Sequence, residues 1–481
     1  MKRKFAVNLI LLLVLNLAIK PFWVFGIDRA VQNLVGASEY GLFFALFNLS
    51  LLFNIFLDFG LTNFNNRAIS QHPQLLPRYL SNLVGIKLLM AIGYFIISIT
   101  AAYFLGYTQR QLGMLLVLVV NQFLASFILY LRSNISGLQL FKTDSILSVA
   151  DRFFMIILCG VLLWGPMRSR FRIEWFIYAQ TIAYLITTTI SLVVVVRKVK
   201  VFAPRLNRVF LVSILKQSYP YALLVLLMSF HFRVDSVMIE RLLPNGNFHA
   251  GIYAQAFRLL DVSTMVPFLF SSLLLPIFSR MLKQDDQIMS LLGFSVKLLL
   301  AASIVFSLVC IFYRDPIMEL LYVNHAAESS TIFATLMVCF VFVSTSYIFG
   351  TLLTANGSLY TLNIIALIGV GVNIVLNVIF IPRYYALGAA AASLITQAIV
   401  SLLQLGVAIK TFKLRIVKTE MVKFILLVGV TCLSYFMVSQ FNVNWIVGAA
   451  IVLAVSIFTA FLVKLISIKD LISLFLNRDG A

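Results

Sequence analysis

Ten cationic and six acidic side chains of this chain fall inside segments that are otherwise apolar. The cations are Lys20, Arg29, Lys87, Arg132, Arg152, Lys216, Arg233, Arg241, Arg258 and Lys297; the acids are Asp28, Asp58, Asp151, Asp235, Glu240 and Asp261. An ionised group at membrane depth costs at least ~2.5–3.5 kcal/mol, so it normally faces a protein interior or a wet cavity. Arg29, Lys216, Glu240 and Arg241 lie near segment ends, where long side chains reach the interface. The deeper set holds more cations than acids. That balance suits a cavity for an anionic cargo, because Arg and Lys bind phosphate through charge and hydrogen bonds.

Local pairing is the competing explanation. It is open to Asp151 with Arg152, and to Arg258 with Asp261, which are three apart and share a helix face. Lys20, Lys87, Arg132 and Lys297 have no acid so placed in the neighbouring sequence. The candidate substrate-binding cations are therefore Lys20, Lys87, Arg132, Arg152, Arg233, Arg258 and Lys297. The candidate cavity or ion-coupling acids are Asp28, Asp58, Asp235 and Asp261.

The hairpin Tyr219–Arg280 concentrates this pattern. Each arm is long enough to cross a bilayer, which takes about 20 residues, yet His231, Arg233 and Asp235 sit in the first arm and Arg258 and Asp261 in the second. His231 and Asp235, four apart, share a face, while Arg233 points nearly opposite and is no partner of Asp235 within one helix. Helical spacing also makes a polar stripe of Asn54, Asp58, Thr62 and Asn65, sets Asn16 beside Lys20, and stacks Asn373 on Asn377. Pro21, Pro220, Pro267 and Pro276 are expected to bend the first, seventh and eighth spans.

The elements that must carry these groups follow from composition. The 481 residues are 62% hydrophobic and 11% charged, with mean hydropathy +1.02, which leaves no soluble reading. Apolar windows predict an all-α polytopic protein of about fourteen transmembrane helices: 5–33, 41–66, 79–105, 112–139, 145–166, 174–196, 209–243, 250–281, 288–313, 328–354, 358–381, 385–409, 420–440 and 444–466. The basic, apolar amino terminus resembles a signal peptide but lacks a small-residue cleavage site, so it reads as an uncleaved first span.

The net charge of +20 lies mostly in short loops. There it sets topology and does not point to nucleic acid. Alternate loops differ in Lys and Arg by better than three to one, which places both termini in the cytoplasm. The Arg168–Arg172 stretch (RSRFR) falls on the sparse side; either it binds an anion there, or one span is misassigned. Cys159, Cys310, Cys339 and Cys432 lie in apolar segments without paired spacing and imply neither a disulfide framework nor a metal site.

An internal repeat organises the chain. Phe25-Gly-Ile-Asp28 recurs as Phe232-Arg-Val-Asp235, Tyr40-Gly41-Leu-Phe as Ala250-Gly251-Ile-Tyr, and Gly85-Ile-Lys87-Leu-Leu as Ser295-Val-Lys297-Leu-Leu. The offsets are 207, 210 and 210, so the drift falls in one loop. The expected layout is two pseudo-symmetric six-helix lobes, 1–208 and 209–415, followed by two extra helices and a tail, 416–481. Even-numbered repeats insert with the same orientation and are related by an axis along the membrane normal. Asp28 and Asp235 occupy matching positions, which favours a shared structural role over cation coupling.

No nucleophile elbow, zinc signature or Walker A loop is present, so neither an enzyme nor a cofactor is expected. Transport would draw on an ion gradient, the membrane potential or the cargo's own gradient.

Leu34-Val-Gly-Ala-Ser-Glu-Tyr-Gly41 with Leu57-Asp-Phe-Gly-Leu61, Arg233-Val-Asp235 with Gly251-Ile-Tyr253, and Asn373-Ile-Val-Leu-Asn377 with Ile381-Pro382 and Leu387-Gly-Ala-Ala-Ala together resemble a known family. It is the polysaccharide-export, O-antigen-type flippase branch of the multidrug/oligosaccharidyl-lipid/polysaccharide (MOP) exporter superfamily. The resemblance implies two six-helix lobes around a cavity that is basic in the flippases. Alternating access there carries a polyprenyl-diphosphate-linked oligosaccharide to the outer leaflet for cell-surface polysaccharide synthesis. It implies cavity cations at Lys20 and Arg258 and a helix-two acid at Asp58; Lys20 stands where the family often has arginine. A coupling proton or sodium ion, and polymerase or glycosyltransferase partners in the same membrane, belong to the same expectation. The alternative is a cation-coupled exporter of small amphiphiles, with Asp58, Asp235 or Asp261 cycling the ion. Membrane-embedded glycan polymerases commonly need a sizeable extracytoplasmic loop, which this chain lacks.

Overall fold

The computed structural model describes residues 15–16, 18–199, 208–284, 288–414 and 417–465. The start of the first expected span, residues 5–14, lies outside them. So do Lys2, Arg3, Lys4, Lys200, Arg205, Arg415, Lys469 and Arg478, on which the loop-charge reading partly rests.

Among the described residues the chain is α-helical without strands. Its fourteen α-helices are α1 (Arg29–Leu52), α2 (Leu61–Gln71), α3 (Leu76–Phe104), α4 (Gln109–Gly137), α5 (Phe141–Trp164), α6 (Ile173–Val196), α7 (Arg208–Leu242), α8 (Gly246–Gln284), α9 (Ile288–Phe312), α10 (Arg314–Leu321), α11 (Ala326–Ala355), α12 (Leu359–Phe412), α13 (Lys418–Ser439) and α14 (Trp445–Leu462). Twelve helical segments are long and apolar enough to cross a bilayer. Two of these, Ala18–Leu52 and Leu359–Phe412, each cover two expected spans and break once, at Gly36 (φ 82°) and Tyr385 (φ 54°). Split at these two breaks, the twelve segments give fourteen helical legs among the described residues.

Both breaks are hairpins. Twelve residues of unbroken helix extend about 18 Å, yet the Tyr40 hydroxyl donates to Asp28 Oδ2 at 2.7 Å. The chain must fold back between them, and Gly36 supplies the positive φ that a side chain would resist. In the second copy the turn is Leu243–Asn245, the three residues between α7 and α8. The longer turn of the second copy falls between the matches at which the repeat offset changes from 207 to 210.

Proline acts unevenly. α8 continues through Pro267 and Pro276. After Pro21, the helix passes into a π-helical stretch, Trp23–Asp28, consistent with a lost N–H displacing the hydrogen-bond register. The expected continuous second span is not found. α1 ends at Leu52, a 3-10 turn covers Asn54–Leu57, and α2 starts at Leu61. Phe59 (φ 42°) and Gly60 (φ 82°) are both left-handed there.

By internal contacts the chain divides into two units, Met1–Ala254 and Gln255–Ala481. The first has a core of Leu61, Leu80, Leu83, Tyr130, Leu131 and Ile135. In the second, Phe278, Leu292, Leu299, Phe349 and Leu352 form the main core, while Ala301, Val305, Leu427 and Ala460 seat the α13–α14 pair on α9.

Two features fasten α7 and the start of α8 within the first unit. Gly41 and Gly251, repeat partners, lie at a close backbone crossing. A Cβ on Gly41 would strike the Asn247 carbonyl, and one on Gly251 the Ala37 carbonyl. Residues 37 and 247 are themselves related by the 210 offset, so the contact is symmetric under the repeat. Gln32 Nε2 donates to the Gly251 carbonyl beside it at 3.1 Å. At the end of α7, the Arg241 guanidinium grips Glu240 through Nε and Nη2 (2.6 and 2.9 Å) and lies 3.6 Å over the Tyr107 ring. Tyr107 and Gln111 both donate to Glu240, and Arg241 donates to the Leu105 carbonyl. Burial, then the nearby Glu240 carboxylate, raises the Tyr107 phenol above its ordinary pKa.

Three outcomes follow for the purified protein in thermal denaturation. Gly251→Val forces the crossing apart and lowers stability by about 1–3 kcal/mol. Gly93→Ala, where an added Cβ meets nothing within 4 Å, stays within about 0.5 kcal/mol of the parent. Glu240→Gln strips a half-buried guanidinium of its carboxylate and costs about 2 kcal/mol, less than the ~3–5 kcal/mol of breaking a fully buried pair. A Gly251→Val melting curve superimposable on the parent's would refute the tight crossing.

Candidate functional site

The sequence left four deep cations without neighbours, and the fold brings three of the site cations together. Lys20, on the helical leg ahead of the π-helical stretch, is within electrostatic reach of Arg152, Asp151 and Arg132. Arg132 comes from α4 and Arg152 from α5, which pack on each other and, through α5, on the π-helical stretch. Arg132 Nε donates to Asp144 Oδ1 at 2.8 Å. Arg152 Nε stands 3.6 Å from Asp151, with its guanidinium 5.4 Å over the Trp23 ring. Trp23 stacks on Phe176 of α6 at 5.7 Å. Asn16 donates to Ser148 Oγ at 3.0 Å, tying the Lys20 leg to α5. Lys20, Arg132 and Arg152 thus share one region with Asp144 and Asp151, whose ion-paired side chains are largely withdrawn from solvent. Chemically, the arrangement can take an anion through charge-assisted hydrogen bonds.

Lys87 is at a second node. Its side chain is 1% exposed, and Nζ is 2.7 Å from Asp58 Oδ1, 3.0 Å from the Leu57 carbonyl and 2.9 Å from Ser126 Oγ. The partner missing from the neighbouring sequence is thus 29 residues away. The expected helical stripe of Asn54, Asp58, Thr62 and Asn65 is not a stripe, because the helix is broken between Asn54 and Thr62. Asp58 instead accepts from the Thr62 backbone N–H (3.3 Å) and hydroxyl at the start of α2, while Asn65 donates to Ser133 Oγ at 2.8 Å.

The repeat-matched acids behave alike. Asp28 accepts from Tyr40 and Asp235 from Tyr253, the latter at 3.0 Å. Arg233 Nη1 donates to Asn48 at 3.3 Å, so Arg233 and Asp235 turn to different neighbours, as their helical spacing required.

In the second unit Arg258 Nη1 and Asp261 Oδ2 stand 3.9 Å apart. Lys297, the repeat partner of Lys87, reaches Glu420 of α13 at 2.8 Å, and Lys423 shares the same oxygen at 3.1 Å. Asn377 donates to Asn373 at 3.1 Å. Among the described residues, no cluster of three or more His, Cys, Asp or Glu side chains is placed to hold a metal ion.

Sequence reasoning missed Asp144 as the partner of Arg132, Glu420 as that of Lys297, and Trp23 as the platform under Arg152. It also missed the exposed triad in which Arg110 binds Glu39 (2.6 Å) and Glu174 (2.7 Å). Asp58-Phe-Gly60, with its acid and glycine separated, is not one of the turn-marking dipeptides, and the unforeseen partners do not stand at helical spacing.

Three solved structures share this fold. A lipid II flippase, MurJ, in an inward closed conformation superposes with a TM-score of 0.73 at 17% identity, covering 96% of this chain and 100% of its own. A MATE family multidrug resistance transporter in an inward-facing conformation gives 0.63 at 14%, covering 81% and 96%. A MOP superfamily transporter from Pyrococcus furiosus gives 0.59 at 14%, covering 85% and 96%. No curated protein matches the chain. The family model described as "Polysaccharide biosynthesis protein" matches residues 8–282, more than half of the sequence and the whole of the cationic group around Lys20. With that match, and with helices arranged as in MOP superfamily transporters, the chain belongs to the polysaccharide biosynthesis protein family.

Proposed function

We propose that this protein is a flippase for a polyprenyl-diphosphate-linked oligosaccharide, carrying it from the cytoplasmic to the outer leaflet of a bacterial inner membrane by alternating access. The observation that carries this reading is the convergence of Lys20, Arg132 and Arg152 on one region among apolar helices. A diphosphate is the one strongly anionic part of such a cargo, and guanidinium groups bind it by paired hydrogen bonds. Arg233 joins the proposed set in the first unit, and Arg258 is the candidate diphosphate ligand of the second. Lys87 and Lys297, also expected as substrate cations, are each engaged by a carboxylate at 2.7–2.8 Å. Membership of the polysaccharide biosynthesis family and the shared fold with a lipid II flippase support the same cargo class. The role is transport and not catalysis, with polymerases or glycosyltransferases of the same membrane making and using the lipid-linked units.

The shared fold with a MATE transporter keeps a second reading in play, a cation-coupled exporter of small amphiphiles in which Asp58, Asp235 or Asp261 carries the ion. Drug-resistance phenotypes on overexpression discriminate it.

The test is the leaflet location of lipid-linked glycan after depletion of the protein in its host. Intact units accumulating on the cytoplasmic leaflet are expected. Completed units accumulating outside would assign a polymerisation or ligation step, and no accumulation would favour the small-molecule exporter. Arg152→Glu and Arg258→Glu should each cut glycan export about tenfold or more, the worth of a charge-assisted hydrogen bond of about 1.5–3 kcal/mol. Membrane abundance of the variants should remain at the parent level; unchanged export would remove the residue from the site.

A further inference from the structure

The break between α1 and α2 has an organisation that anion binding does not explain. In an intact helix the Leu61 N–H would bond the Leu57 carbonyl; here it bonds the Asp58 carbonyl at 2.8 Å. The Leu57 carbonyl is thereby released from the helix. It points at Lys87 Nζ (3.0 Å), together with Asp58 Oδ1 (2.7 Å), Ser126 Oγ (2.9 Å) and the Ser126 carbonyl (3.5 Å). An ammonium has three N–H donors, so four oxygens exceed what it can satisfy by hydrogen bonds alone. A face of the Tyr130 ring, 5.8 Å away, adds its negative quadrupole. Two backbone carbonyls, a hydroxyl and one carboxylate around a point charge at an unwound helix form the ligand set with which membrane proteins hold alkali cations.

We propose that this break is a monovalent-cation site whose resident cation is the Lys87 ammonium, tethered to the chain instead of exchanged with solution. The duplication sharpens the assignment. The repeat-matched Lys297 instead joins Lys423 on Glu420, with about a third of its side chain exposed. The two lysines therefore do different work: one fills an oxygen cage at a broken helix, the other docks α13. The inference goes beyond the flippase reading. Its consequence is that Asp58 carries no exchangeable ion in the native protein, because the charge that neutralises it never leaves.

The experiment is a thermal-stability measurement on the purified full chain, so its outcome is independent of the cargo. Lys87→Ala empties the cage while leaving Asp58 and the carbonyls. In choline chloride this variant should melt below the parent. Replacing choline with potassium or ammonium at equal ionic strength should raise its melting temperature by about 2 °C or more, since a ligand that binds only the folded state stabilises it. The parent and Asp58→Asn/Lys87→Ala should not distinguish the salts. If Lys87→Ala does not survive purification in choline, the yield of monodisperse protein after extraction in potassium is compared with that in choline, and recovery in potassium is the expected result. Equal behaviour of Lys87→Ala in every salt overturns the proposal, as does an equal response by the double variant. A cation response of the parent that Asp58→Asn abolishes also overturns it, because the site would then be exchangeable.

Discussion

Hydrocarbon offers no water to an ionised group or to a backbone amide outside a helix, so each such group must be answered from within the protein. Much of this structure follows from that requirement. Where the second span breaks at Phe53–Gly60, the released Leu57 carbonyl and the new start of α2 need partners. Lys87 supplies one and Asp58 the other, and each carries the charge that makes the other tolerable. Where Asp28 and Asp235 enter apolar surroundings, a tyrosine hydroxyl folds back on each. Burying these groups does not make the protein stable in itself; a buried pair is weak evidence for net stabilisation, while removal of one partner is costly. What such groups impose is geometry, because the helices must be placed so that each group meets its partner.

Duplication meets this requirement twice, with different residues. The Gly41 and Gly251 backbones cross closely enough that neither position has room for a Cβ, and the crossing maps onto itself under the repeat. In a bilayer, where lipid tails are as apolar as side chains, such close packing is what draws helices together. Around that symmetric crossing the copies diverge. Lys87 is enclosed at a broken helix, whereas Lys297 reaches a helix that lies outside the duplication. The Asp–Tyr pairs are conserved in chemistry but not in position, for Tyr40 aligns with Ala250 and Tyr253 with Phe43. What the repeat retains is a satisfied carboxylate; which neighbour satisfies it is free to differ.

The helical crossings were legible in the sequence because bilayer thickness sets their length and apolar composition marks them. The hairpins inside Ala18–Leu52 and Leu359–Phe412 were legible for the same reason, as paired windows. The break at Phe53–Gly60 was not, since an apolar window registers hydrophobicity and not backbone continuity, and Asn54, Asp58 and Thr62 at four-residue spacing imitate one face of a helix. The candidate cations were readable as types but not as pairs. Asp144 lies twelve residues from Arg132 and Glu420 lies 123 from Lys297. No periodicity connects positions that meet only because separate helices pack. Lys20, Arg132 and Arg152 likewise come from three helices, and only their shared excess of charge over nearby acids hinted that they belong together.

That excess bears on how a cavity can hold an anion and still let it go. Three cations brought together without counter-charge would repel one another, and in a low-dielectric setting each would pay heavily for lost hydration. Fully matched acids would instead leave nothing for a ligand to gain. The group here lies between these limits: Asp144 binds Arg132 closely, Asp151 stands 3.6 Å from Arg152, and Lys20 is within electrostatic reach of both arginines and Asp151. For the proposed diphosphate cargo, Lys20 and the two arginines would exchange part of these carboxylate contacts for phosphate oxygens. The same acids restore much of the balance once the cargo departs. A site meant to bind tightly would dispense with Asp144 and Asp151; one that must release on the far side of the membrane is better served by keeping them.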